Sequence, residues 1–264
     1  MTQTVLYDRK ANPDYIPRVA AVHDLCGYGK CSLGIAIPVV SAGGCDVCPV
    51  PTGLFSSHTA FPGWYMHDTT DILPDYLAAW QNIGVEIDAI YSGFLGAPEQ
   101  VDIIRSLYER YPKALRVVDP VMADHGKVYP TYTPELCTAM ADLACDADIL
   151  TPNLTEAAII LGEEWHGTDI SNDEAKRIID ALIEKGAKNV VLKGVQREGE
   201  SVIRNFAAGV DIDFFEASNE YLPYMLHGTG DLYCSCLLAA IMAGRTLQEA
   251  VEFAGCLLYT SPSP

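Results

Sequence analysis

Apolar positions along this chain fall into two alternating rhythms. Short runs dense in valine, alanine, isoleucine and leucine are separated by longer stretches where apolar residues return every third or fourth position. The runs at residues 18–23, 46–51, 88–92, 116–119, 148–151 and 189–193 predict buried strands. The stretches at 30–42, 71–83, 98–110, from about 134 onward, 171–185 and 232–243 predict helices. The fullest helical signal is 171–185. Ser171 with Glu174 reads as a capping box, Ala175, Ile178, Ile179, Leu182 and Ile183 share one face, and Gly186 stops the run. Residues 201–207 and 211–217 predict a hairpin. Strands alternating with helices imply an α/β fold: an open, mostly parallel sheet with helices on both faces. With no repeat or low-complexity linker, residues 18–255 read as a single domain behind a polar, loosely held arm at 1–17.

Composition narrows the partners. Thirty-five acidic against 17 basic residues give a formal charge of −18. That argues against nucleic acid, which is held by clustered lysine and arginine, but not against a single nucleotide. No apolar run nears the about 18 residues of a membrane span, and residues 1–17 lack a secretory core. Nine cysteines without an export signal suggest reduced thiols in the cytosol. Cys45 and Cys48 have the spacing of a metal or redox pair. No second pair accompanies them, so buried thiols are the expectation, as for Cys234 and Cys236 in the predicted helix.

The candidate chemistry gathers where strands end. In open α/β sheets ligands bind outside the carboxyl ends of the strands. Those ends carry Asp24 with Gly27-Tyr28-Gly29-Lys30, Thr52 with Ser56-Ser57-His58-Thr59, Ser92-Gly93-Phe94-Leu95-Gly96, Asp119-Pro120-Val121-Met122, Thr151-Pro152-Asn153 with Glu156, and Lys193-Gly194. The densest motif is His227-Gly228-Thr229-Gly230-Asp231, directly before an apolar helical run. Two glycines permit a tight turn, and the helix N-terminus behind it favours an anion. An aspartate beside a bound phosphate makes chemical sense as a base for the attacking group.

Together, the motifs at 55–59, 92–96, 119–122, 151–156 and 228–231 resemble the pyridoxal kinases of the ribokinase-like superfamily, above all the variants called pyridoxamine kinases. The resemblance runs in order from about Arg18 to Gly255. It implies a ribokinase-like three-layer α/β/α fold and ATP-dependent phosphorylation of the 5′-hydroxymethyl group of pyridoxal, pyridoxine or pyridoxamine, in a cytosolic homodimer. It assigns Asp231 as catalytic base, and Gly228, Thr229 and Gly230 as the anion hole. Asp119 and Glu156 would stand near the Mg2+ that accompanies ATP, with a requirement for K+ left open. Asn153, Lys193 and Thr229 would meet the nucleotide. Asp24, Thr52 and His58 would meet the vitamer. At Asp24 the chain departs from the commoner serine, which leaves the preferred vitamer open, since a carboxylate accepts where serine can also donate.

Several residues keep a plainer reading alongside. Asn153 with Glu156 is also a capping box. Lys193 could be a solvated strand tip, and His58 a structural hydrogen bonder. Tyr28, Tyr129 and Tyr132 could cover the ligand or simply pack. Two other functions compete: a hydroxymethylpyrimidine kinase of the same fold, which often carries cysteine at the position of Asp231, and a non-catalytic binder of vitamin B6 or pyridoxal phosphate. Thr246 and Glu249 open a further helix with another capping box. Cys256 to Pro264 resembles translated adapter sequence, so residues 256–264 are expected to be foreign to the gene.

Overall fold

The computed structural model describes residues 4–11, 14–221 and 227–260. Its first half contains β1 (Arg18–Cys26), α1 (Leu33–Ala42), β2 (Asp46–Phe55), β3 (Met66–Asp68), α2 (Leu73–Asn82), β4 (Ala89–Ser92), α3 (Glu99–Arg110) and β5 (Leu115–Val118). A two-residue hairpin pair, β6 (Ala123–Asp124) and β7 (Lys127–Val128), follows, then α4 (Pro134–Ala144), β8 (Ile149–Leu150) and α5 (Leu154–Leu161). The chain continues through α6 (Asn172–Glu184), β9 (Asn189–Gln196), β10 (Val202–Gly209), β11 (Ile212–Glu220), α7 (Thr229–Met242) and α8 (Leu247–Thr260).

Nine strands form one sheet in the order β11-β10-β9-β8-β5-β4-β1-β2-β3. The pairings from β9 across to β2 are parallel, while β3 at one edge and β10 and β11 at the other run antiparallel. After β2 the chain crosses back over β1 to reach β4, so β1 lies at the reversal of strand order. Such a point opens a crevice at the carboxyl ends of the strands.

The period of two along each strand sorts the core into two layers. Val19, Ala89, Tyr91, Val117 and Val191 point to the face covered by α1, α7 and α8. Ala20, Val22, Ile90, Val118 and Leu192 point to the face covered by α2 to α6. Every residue of α7 from Tyr233 to Met242 is buried. A helix apolar all round is a central helix, wedged here between α1, α8 and the sheet. No helix among the described residues is long and apolar enough to cross a membrane.

Several boundaries differ from the sequence reading, each for a local reason. β1 and β2 run past 23 and 51, because pairing resumes at Leu25↔Leu54 and Cys26↔Phe55 after a register shift. Asp24 and Thr52 consequently lie within strands. β9 extends to Gln196, since β10 continues to pair across the irregularity at Gly194, whose φ is +78°. Lys193 is thus inside a strand, not at its tip. α1 starts at Leu33 because Ser32, at φ 47°, leaves the helical region. At α6 Ser171 accepts from the Glu174 amide (3.1 Å), but the Glu174 carboxylate turns to Arg177 instead of closing the capping box. A charge-assisted bond outcompetes a neutral amide.

The described part of the segment before β1 is attached. Tyr7 and Tyr15 donate to Asp88 at 3.4 and 3.0 Å, and Val5 bridges to Thr246. The Thr246–Glu249 box caps α8, which continues without a break through Cys256 to Thr260. The last four residues of the 256–264 segment lie outside the described residues. Cys45 is buried and Cys48 half-buried, both as free thiols, and Cys234 and Cys236 pack in the core.

Candidate active site

The turn before α7 depends on glycine. Gly228 has φ +79°, and a Cβ there would stand 2.6 Å from Ile35 Cδ1 and 2.7 Å from the Lys30 carbonyl oxygen. The side-chain methyl could move; the backbone oxygen could not. Gly228→Ala should therefore cost about 1–3 kcal/mol and tilt the first turn of α7. Thermal melting and kcat measured on that variant should both fall, and an unchanged melt would mean the turn relaxes freely.

Asp231 sits in that first turn, 7% exposed. Its Oδ2 accepts from the Ser32 amide at 3.0 Å, and its Oδ1 has no partner. Burial, reinforced by Asp119, raises its pKa to about 7, against the Ser32 bond and Lys193, which lower it. A carboxyl poised near neutrality with one free oxygen has the properties a general base needs.

Beside it, Lys193 Nζ donates to Asp119 Oδ1 at 2.5 Å, and Thr151 Oγ1 donates to the same oxygen at 3.1 Å. Asp119 is fully buried and its Oδ2 is unpartnered. Burial opposes the charge on Lys193, yet Asp119 and Glu156 hold its pKa above the ordinary lysine value. The same ammonium reaches Gly230, where a Cβ would lie 3.4 Å from Nζ. Asn153 and Glu156 form the complete capping box of α5, with bonds of 2.8 and 2.9 Å, and Asn153 Nδ2 donates to Ala123 O. Burial lifts Glu156 to about 8, with Asp119 adding to the rise and Lys193 opposing it.

Among the described residues the buried carboxyl groups are Asp24, Asp119, Glu156 and Asp231. All four stand at this one end of the sheet. Buried acids are rare unless paired, so their convergence with a single lysine marks a site.

The other side of the crevice is built from the turn after β1 and the loop after β2. Gly27 and Tyr28 donate to the carbonyls of Phe55 and Ser56, and His58 donates back to Tyr28 O at 2.8 Å. The His58 ring lies 4.6 Å from that of His227, so this loop touches the α7 turn. Burial, then His227, lowers the His58 pKa, and its Nδ1 accepts from the Ala60 amide. Burial raises the pKa of Asp24. Thr52 is buried, and its hydroxyl donates to Phe94 O at 2.7 Å. Tyr132 is core, packed on Phe94, and Tyr129 is half-buried. Tyr28 is 66% exposed against Phe61 and is the one of the three tyrosines free to cover a ligand.

Four residues escape a reading of the sequence. Ser32 holds Asp231 through a backbone amide, which no side-chain pattern reports. Gln100 ties the loops together by accepting from Gly96 N and donating to Thr52 O, Asp68 and Thr70. Cys26 and Cys31 lie beside Asp24.

Residues 60–261 match the family model described as phosphomethylpyrimidine kinase. The chain is 31% identical over 229 residues to pyridoxal kinase PdxY of Histophilus somni, covering 79% of this chain and 75% of that protein. A Bacteroides thetaiotaomicron structure described as a phosphomethylpyrimidine kinase, crystallised with pyridoxal, superposes with a TM-score of 0.88 at 35% identity over 92% of this chain and 86% of that one. Pyridoxal kinase from Lactobacillus plantarum gives 0.84 at 28% identity, covering 93% and 87%.

Proposed function

The chain belongs to the phosphomethylpyrimidine kinase family, and on that premise we propose that it transfers the terminal phosphoryl group of ATP to the 5′-hydroxymethyl group of a B6 vitamer. The observation that carries this reading is Asp231: buried, near-neutral in pKa, with one unpartnered oxygen at the N-terminus of a central helix. The H. somni relative is a pyridoxal kinase, and the B. thetaiotaomicron protein was crystallised with pyridoxal.

Asp231 takes the hydroxyl proton as the vitamer oxygen bonds to the terminal phosphorus. The bond from that phosphorus to the bridging oxygen breaks, and ADP leaves. The first-turn amides at Gly228, Thr229 and Gly230 face the charge that develops, where a fixed helix N-terminus needs no reorganisation. Lys193 draws the phosphates toward that turn. Asp24 and the backbone around Thr52 hold the ring, and His58 fixes the covering loop against His227. Asn153 caps α5 and donates to Ala123 O, and its amide keeps a second N–H and a second lone pair with which to meet the nucleotide. Exposed Leu25 and Leu54, paired side by side on β1 and β2, belong to the face we assign to a second copy of the chain.

The acid-rich pocket also fits a divalent cation. Asp119 Oδ2 is a buried oxygen without a partner, and Glu156 lies beside it. Magnesium takes one or two carboxylates and keeps several waters. When bound there it would neutralise charge on the phosphates.

Purified protein incubated with ATP and each of pyridoxal, pyridoxamine, pyridoxine and hydroxymethylpyrimidine should show its highest kcat/KM with a B6 vitamer. Preference for the pyrimidine would make it the other kinase of this fold. Tight vitamer binding with no turnover on any of the four would make it a carrier.

A further inference from the structure

We infer that Asp24, Cys26 and Cys31 form a binding site for a thiophilic cation of the zinc class. One donor atom from each residue lies within 4.8 Å of the other two, and Asp24 Oδ2 is 3.6 Å from Cys26 Sγ. A tetrahedral ion with ligand bonds of about 2.0–2.3 Å spaces its donors by about 3.4–3.8 Å. The Asp24–Cys26 pair already has that spacing, and the separations to Cys31 are at most 4.8 Å.

The backbone explains why. Asp24 and Cys26 are two apart on β1 and so share a face. Cys31 returns to them over the Gly27–Lys30 turn, which Phe55 and Ser56 pin through backbone hydrogen bonds. Gly29 there has φ +85°, and a Cβ would press to 2.9 Å from His58 Cβ. Asp24 and Cys31 are buried and Cys26 is half-buried. Among the described residues no other group of three such donors converges; the Cys45–Cys48 spacing gathers no third ligand.

Two thiolates and a carboxylate suit a soft, borderline cation over magnesium or calcium. Three protein ligands leave a fourth position for water or a ligand group. Binding releases both thiol protons to solvent. Because the ligands must lose those protons, affinity rises with pH. One consequence rests on the vitamer role of Asp24 proposed above: the cation would compete with the vitamer and not with ATP.

The test is a cobalt titration of the full chain without ATP or vitamer, followed by zinc displacement. One equivalent of Co2+ should bind with a thiolate-to-cobalt charge-transfer band, and zinc should remove it. Cys26→Ser and Cys31→Ser should each weaken binding by more than the about 100-fold that outer-shell changes can cost. Asp24→Asn should keep the band at lower affinity, and Cys45→Ser should behave as the parent. Circular dichroism establishes that each variant is folded. A parent protein without the band, or a folded Cys26→Ser/Cys31→Ser double variant that retains it, overturns the site. Neither result touches the kinase assay, and a failed kinase assay leaves this titration standing.

Discussion

Asp231→Asn should lower kcat by about 10²–10⁴ while ATP and vitamer still bind, because the side chain keeps its shape and loses only its capacity to accept a proton. The wild-type pH–rate profile should climb through about pH 7, where the buried carboxyl ionises. That limb should vanish in the variant. Stability should move the opposite way. The unfolded aspartate titrates near 3.8, whereas the folded one holds its proton to about 7. Between those values the folded chain binds more protons than the unfolded chain, so stability falls as pH rises, and above about 7 the penalty is complete. Asparagine carries no such charge. The variant should therefore melt higher than wild type at pH 8 and close to it at pH 4. A poorer catalyst that is a more stable protein is the signature of a group kept for chemistry. Wild-type turnover by Asp231→Asn would remove the base from the mechanism.

Part of this site is legible in the amino-acid sequence. Glycine at 228 and 230 ahead of an apolar run announces a turn and a helix, because only a few residue types tolerate such a backbone. The strand–helix alternation announces the parallel sheet for the same kind of reason: fully buried strands must be apolar on both faces. Boundaries are less legible. β1 and β2 continue past their apolar runs because each finds a pairing partner, and the pairing is long-range. Lys193 reads as a tip, since nothing near it in sequence says that β10 will lie alongside beyond Gly194. Ser32 is invisible for a different reason. It acts through its amide, at a positive φ that serine does not advertise. Backbone contributions of that kind leave no mark in side-chain pattern. Cys26 and Cys31 are legible only as two more thiols, because their meeting depends on the turn between them.

The Lys193–Asp119 pair supplies the second large effect. Lys193→Met leaves Asp119 with Thr151 as its remaining partner at 0% exposure, and breaking a buried pair from one side typically costs about 3–5 kcal/mol. Denaturant unfolding should show that loss. Lys193 also lowers the pKa of both Asp231 and Glu156, so its removal should move the rising limb of the pH–rate profile to higher pH. The double variant Asp119→Asn/Lys193→Met removes both charges together. It should regain most of the lost stability, since a neutral pair of similar volume leaves no orphaned ion. Catalysis should not follow. KM for ATP should stay raised in the double variant, because the ammonium that faces Gly230 and the carboxylate proposed for the divalent cation are both missing. The two readings of this lysine part at that measurement. If stability and ATP affinity recover together, Lys193 serves only to neutralise Asp119; if stability alone recovers, the pair is there for the nucleotide and its cation.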